Sequence, residues 1–200
     1  MRPLYLLIAF IAAVAVVYSL SYAGILGLRA SEYLYIAVET AFFPAAFALK
    51  RRYSPRGLYD ALPFLLLWFL AQPFLSYFTP SESAGSELLN LYESGVLPAL
   101  IAATVVVEPV VQEALFRGIL LEELARYGSA VAYIASSLVY ALFVVQPVSL
   151  SSAVAFAAYF LLGLIFAYAY KRGGLTAAIF LHGIFSVALT LITLTTLAYL

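Results

Sequence analysis

The chain is predicted to be an all-α, polytopic transmembrane bundle of about seven spans, and three observations carry that prediction. Its 200 residues are 66% hydrophobic and only 10% charged. Mean hydropathy is +1.05, above what a soluble core of this length needs. Stretches such as Leu4 to Val17 and Ala153 to Tyr170 are apolar on every side, without the alternation of a membrane β-strand. In lipid such segments satisfy their backbone only as helices.

Spans of roughly 20 residues are read at Leu4 to Leu28, Tyr33 to Leu49, Ala61 to Tyr77, Val96 to Leu120, Ala130 to Val148, Ser152 to Tyr170 and Leu175 to Tyr199. The first apolar stretch exceeds a signal-peptide core and is read as a retained anchor. No repeat or long linker divides the chain. The expected organisation is a packing collar of N-terminal helices over 1–95 and a functional core over 96–200.

Basic residues cluster in three loops: Lys50, Arg51, Arg52 and Arg56; then Arg126; then Lys171 and Arg172. The loop after the third span carries Glu82, Glu87 and Glu93 and no basic residue. The positive-inside rule therefore predicts a multi-pass protein of the cell membrane with its N-terminus cytoplasmic and its C-terminus outside. Tyr18, Tyr22, Tyr77, Tyr127, Tyr170 and Tyr199 sit near span ends, as in interfacial aromatic belts. Net charge is zero and there are no cysteines, which argues against nucleic-acid binding and excludes thiol chemistry, disulfides and Cys-based metal sites.

Within this apolar background the informative segment is Gln112 to Gly118 (QEALFRG), preceded by Glu108 and Pro109. An ionisable side chain in a span costs on the order of 2.5–3.5 kcal/mol on insertion scales, so these charges need a reason. Glu113 and Arg117 stand at i, i+4 in the favourable order and can neutralise each other. Glu108 and Gln112 share a neighbouring helix face. Pro109 removes a backbone donor and can open the helix beside Glu108. His182, the sole histidine, lies in the last span one turn from Ser186. Read alone, the charged pair serves equally well as a structural clasp, and His182 as a neutral core histidine bonded between helices. A lone histidine is a poor metal site, since catalytic zinc takes three protein ligands and His182 would need Glu108 or Glu113 beside it.

QEALFRG resembles the first motif, Glu-Glu-x-x-x-Arg, of the CPBP family of intramembrane proteases, also called the Abi or CAAX protease family. Ser136 to Val145 (SSLVYALFVV) is similar to the second motif, an aromatic followed four residues later by His. Gly163 to Ser186 (GLIFAYAYKRGGLTAAIFLHGIFS) resembles the third, which ends in His-x-x-x-Asn. The likeness covers about Leu97 to Leu191.

The resemblance implies an intramembrane endopeptidase in which the first motif-one Glu activates water, the motif-two His orients water or metal, and the Asn stabilises the oxyanion. Here those positions are Gln112, Val144 (with Tyr140 as its aromatic) and Ser186, whereas Glu113, Arg117 and His182 are retained. An amide accepts no proton near neutral pH, and valine neither binds metal nor polarises water. A hydroxyl still donates to an oxyanion. The expectation is a family member with a degenerate catalytic site that binds a lipid-modified or transmembrane protein segment.

The alternative is an active peptidase built from Glu108 or Glu113 with His182 and Ser186. Were it active, the resemblance would imply a divalent metal such as zinc, with His182 and Glu113 as its ligands; no other cofactor is expected. A serine-type site on His182 and Ser186 is disfavoured, because both lie on one helix without an orienting third group. A small transporter ranks last, for want of an inverted repeat.

Overall fold

The computed structural model describes residues 4–47, 49, 54–78, 90–145 and 149–197. Seven of the helices among the described residues build the bundle: α1 (Leu4–Tyr22), α2 (Leu28–Phe47), α3 (Pro55–Phe78), α4 (Leu97–Tyr127), α5 (Ser129–Val144), α6 (Leu150–Gly173) and α7 (Leu175–Leu197). No strand occurs among them, so the chain is an all-α bundle. Lys50, Arg51, Arg52, Glu82, Glu87, Val148 and Tyr199, used above for topology, lie outside the described residues.

Five of the seven helices are long and apolar enough to cross a membrane: α1, α3 over Pro55–Leu75, α4, α6, and α7 over Leu175–Thr195. The other two of the expected spans depart for separate reasons. Helix α2 has the length, but Arg29, Glu32 and Glu39 load it with charge. Helix α5 is apolar but only 16 residues long.

Helix α6 is central, packing against α3, α5 and α7. Its start is set by a capping box: the Ser149 hydroxyl accepts from the Ser152 N–H at 3.1 Å, and the Ser152 hydroxyl accepts from the Ser149 N–H at 2.8 Å. Its end is set by Gly174, whose φ of 80° suits glycine and turns the chain straight into α7. Against α3 the backbones meet almost without side chains. A Cβ on Gly57 would run into the Gly173 backbone, and the Ser54 N–H donates to the Gly173 carbonyl at 2.9 Å. Arg172 then closes that end on Asp60 at 2.8 Å. Further along, the Trp68 indole N–H donates to the Ala158 carbonyl at 2.8 Å, tying α3 to α6 inside the apolar core.

The break between α4 and α5 falls at Gly128, with φ 115°. Gly128 itself occupies the N-cap of α5, which begins at Ser129 without a side-chain capping bond. Helix α4 is irregular where the sequence places Pro109. A π-helical stretch, Ala103–Val107, precedes Glu108, and a second, Ala114–Leu121, follows Glu113. Proline supplies no N–H and its ring crowds the carbonyl one turn earlier, which a locally widened helix relieves. Glu108, Gln112 and Glu113 therefore stand on the short α-helical segment between two widened turns.

Candidate functional site

The first element of the site is a buried ionic knot between α4 and α7. Arg117 Nη1 donates to Glu113 Oε1 at 3.0 Å, as the i, i+4 spacing predicts, and both side chains are fully buried. The same carboxylate oxygen lies 2.9 Å from His182 Nδ1. Arg117 Nη2 reaches across to the Gly163 carbonyl of α6 at 2.9 Å. The guanidinium sits 4.5 Å from the Tyr140 ring centre and 5.4 Å from that of Phe166, while the His182 ring stacks on Phe166 at 4.6 Å. Two rings from neighbouring helices thus hold the histidine and the arginine on either side of one carboxylate. Glu113 Oε2 and Arg117 Nε remain buried without a hydrogen-bond partner. With Nδ1 held by Glu113, His182 keeps Nε2 for the adjoining cavity.

That cavity, about 150 Å³, opens among six of the helices. Its polar lining comes from Thr104, Glu108 and Gln112 of α4 and from His182 and Ser186 of α7. Tyr18, Tyr35, Tyr140, Phe143, Tyr159 and Phe185 supply aromatic walls, and Val144 faces in from α5. Glu108 accepts from the Thr104 hydroxyl at 3.2 Å, one turn earlier on its own helix. The i, i+4 spacing of Thr104 and Glu108 in the sequence allows this bond.

Sequence reasoning missed Glu39. It is fully buried on α2. Its Oε1 accepts from Gln112 Nε2 at 3.2 Å and from the Tyr35 hydroxyl at 2.9 Å, while Oε2 is buried without a partner. The signal was a lone carboxylate in the run Ile36 to Phe43 (IAVETAFF), outside the motif-bearing half.

Glu108, Gln112, His182, Ser186 and Val144 are thus brought to one cavity, with Glu113 and Arg117 packed immediately behind His182. The description "Type II CAAX prenyl endopeptidase Rce1-like" belongs to a family model that matches residues 94–188. This match supports a likeness of residues 94–188 to the CPBP/CAAX protease family. The matched segment holds α4 to α6 and the part of α7 bearing His182 and Ser186, so every motif residue named above falls within it. Neither a curated protein nor a solved structure matches the chain.

The apolar helices and this match support a multi-pass membrane protein, and the donor set of the site does not fit a catalytic zinc ion. Three protein ligands are needed, and among the described residues no group of three His, Cys, Asp or Glu side chains is arranged to hold a metal. His182 Nδ1 is bound to Glu113, Gln112 is an amide and Val144 is a hydrocarbon.

Proposed function

We propose that this chain is a CPBP-family protein with a degenerate peptidase centre that holds a lipid-modified or transmembrane protein segment without cutting it. The carrying observation is the state of Gln112. At the position where the family's water-activating glutamate is expected, an amide gives its N–H to Glu39 and takes up no proton. Val144, at the position of the motif-two histidine, faces the same cavity and offers water neither a base nor a ligand. Loss of one positioned base costs roughly 10²–10⁴-fold, and here two groups are replaced.

In this reading the protein resides in the cell membrane with its N-terminus cytoplasmic. Helices of residues 1–95 form a collar around the core of residues 96–200, and α2 of that collar also supplies Glu39 and Tyr35 to the site.

A second reading has one observation in its favour. Glu108, His182 and Ser186 line a single cavity, with Glu113 orienting the histidine through Nδ1, an arrangement able to activate a water by a route other than residue 112.

The test is incubation of the purified chain in detergent with prenylated CAAX-type and transmembrane-peptide reporters, beside Glu113→Ala and Gln112→Glu/Val144→His variants. The expected result is retention of a reporter without cleavage by the native chain and cleavage by the doubly substituted one. Cleavage by the native chain that disappears in Glu113→Ala would establish the second reading instead.

A further inference from the structure

We infer that the aromatic cavity is a binding site for a small organic cation bearing N–H donors, a primary alkylammonium group, held by Glu108, Gln112 and His182. The inference names a ligand class for the site treated above and rests on its binding reading.

Three acceptors of different kinds face the cavity beside its hydroxyls. Gln112 gives one amide N–H to the Glu39 carboxylate, and its carbonyl oxygen makes no bond within the protein that would withhold it from the cavity it lines. Because His182 holds Glu113 through Nδ1, the nitrogen left to the cavity is Nε2, an acceptor in the neutral ring. Glu108 adds a carboxylate, with Thr104 already donating to it. Amide oxygen, imidazole nitrogen and carboxylate all ask for donors, and a primary ammonium carries three.

The charge balance points the same way. Glu39, Glu108 and Glu113 lie in or directly behind the cavity, and the guanidinium of Arg117 is spent on Glu113 and the Gly163 carbonyl. Among the described residues, no lysine or arginine lines the cavity. Glu39, wholly buried, still has one carboxylate oxygen without a partner. The walls suit the same guest, since tyrosine and phenylalanine faces such as those of Tyr18, Tyr35, Tyr159 and Phe143 attract cations.

The experiment is calorimetric titration of the purified full chain in detergent with n-butylammonium. Tetramethylammonium, which keeps the charge but has no N–H, and n-pentanol, which keeps the shape but has no charge, serve as competitors. Saturable butylammonium binding is expected, with neither competitor displacing it at equal concentration. Glu108→Gln should weaken it about tenfold or more, the size of one lost charge-assisted hydrogen bond. Tyr127→Phe, on the exposed end of α4, should leave it unchanged.

Displacement by n-pentanol as readily as by the amine itself would overturn the inference on the native chain alone, whether or not the variant folds. So would undiminished binding in a Glu108→Gln protein with a native melting curve. Repeating the titration in nanodiscs with and without phosphatidylethanolamine separates two sources of the group: competition by that lipid assigns the ammonium to a headgroup, and its absence to a free amine. The outcome is separable from the reporter assay, since a chain that retains prenylated peptide but not butylammonium loses this inference and keeps the binding reading. One that binds butylammonium and cleaves the reporter does the reverse.

Discussion

Gln112 of α4 and Glu39 of α2 are joined by a 3.2 Å hydrogen bond that runs from an amide to a buried carboxylate, 73 residues apart in sequence. The bond gives Gln112 a fixed orientation and gives Glu39 one of its two donors, the other being Tyr35. It also connects the family-matched half of the chain to a helix outside the matched segment. Removing the acceptor should therefore be felt on both sides. Glu39→Ala leaves the Gln112 N–H buried without its acceptor, at about 1–3 kcal/mol for a group so stranded, while Tyr35 still has Glu108 within reach. Glu39→Gln retains a carbonyl acceptor and should cost far less. Thermal melts in detergent should place the two variants in that order, and equal losses would show that the bond contributes little.

Arg117 is the most heavily committed side chain in the bundle, with Glu113, the Gly163 carbonyl and the faces of Tyr140 and Phe166 around its guanidinium. Arg117→Leu strands the Glu113 carboxylate away from water, and breaking a buried pair in this way costs on the order of 3–5 kcal/mol. Arg117→Lys should rescue only part of that loss. An ammonium neutralises Glu113 but lacks the planar fork that reaches Gly163 while stacking on Tyr140. Melting temperatures of the three proteins should rank Arg, Lys, Leu, and a lysine variant as stable as the native chain would show that charge alone matters.

Two glycines make opposite predictions from similar sequence surroundings. A methyl on Gly57 would collide with the Gly173 backbone where α3 crosses α6, and neither backbone has a side chain to move aside. Gly57→Ala should therefore part the two helices and destabilise by about 1–3 kcal/mol, as overpacking does. Gly183, next to His182 on α7, has open space where its Cβ would stand. Gly183→Ala should be neutral or slightly stabilising, since alanine is the better helix former. Comparing the two melting curves checks the α3–α6 contact without touching the polar site.

What the sequence made legible divides by the distance over which a contact acts. The Glu113–Arg117 pair was readable because both residues lie on one helix at i, i+4. The break between α6 and α7 was visible in the paired glycines at 173 and 174. The resemblance singled out His182 and Val144, but their arrangement around one cavity belongs to the packing of three helices. Glu39 escaped because no spacing rule links α2 to α4, and a carboxylate in an N-terminal span carries no motif. The Gly163 carbonyl escaped for a deeper reason: every residue has one, and only the crossing of α4 and α6 decides which is met. The 16 residues of α5 and the charges of α2 were both on view in the sequence.

The Glu39–Gln112 bond bears directly on any attempt to restore peptidase chemistry. Gln112→Glu alone sets two carboxyl groups against each other at hydrogen-bond distance in a buried site, where like charges repel with little screening. That variant should lose stability relative to the native chain, and adding Glu39→Gln should recover it, because the amide then sits on α2, the carboxylate on α4, and the bond runs in reverse. The recovery is non-additive and reads out as a coupling energy in a double-mutant cycle on melts, where residues in direct contact give about 0.5–3 kcal/mol. The exchange also moves a carboxylate to the family's motif-one position without changing the charge of the site. Glu39→Gln/Gln112→Glu/Val144→His should therefore cleave a prenylated reporter faster than Gln112→Glu/Val144→His, which keeps Glu39 opposed to the new carboxylate. Equal rates and equal melts for those two proteins would mean that Glu39 does not restrain residue 112.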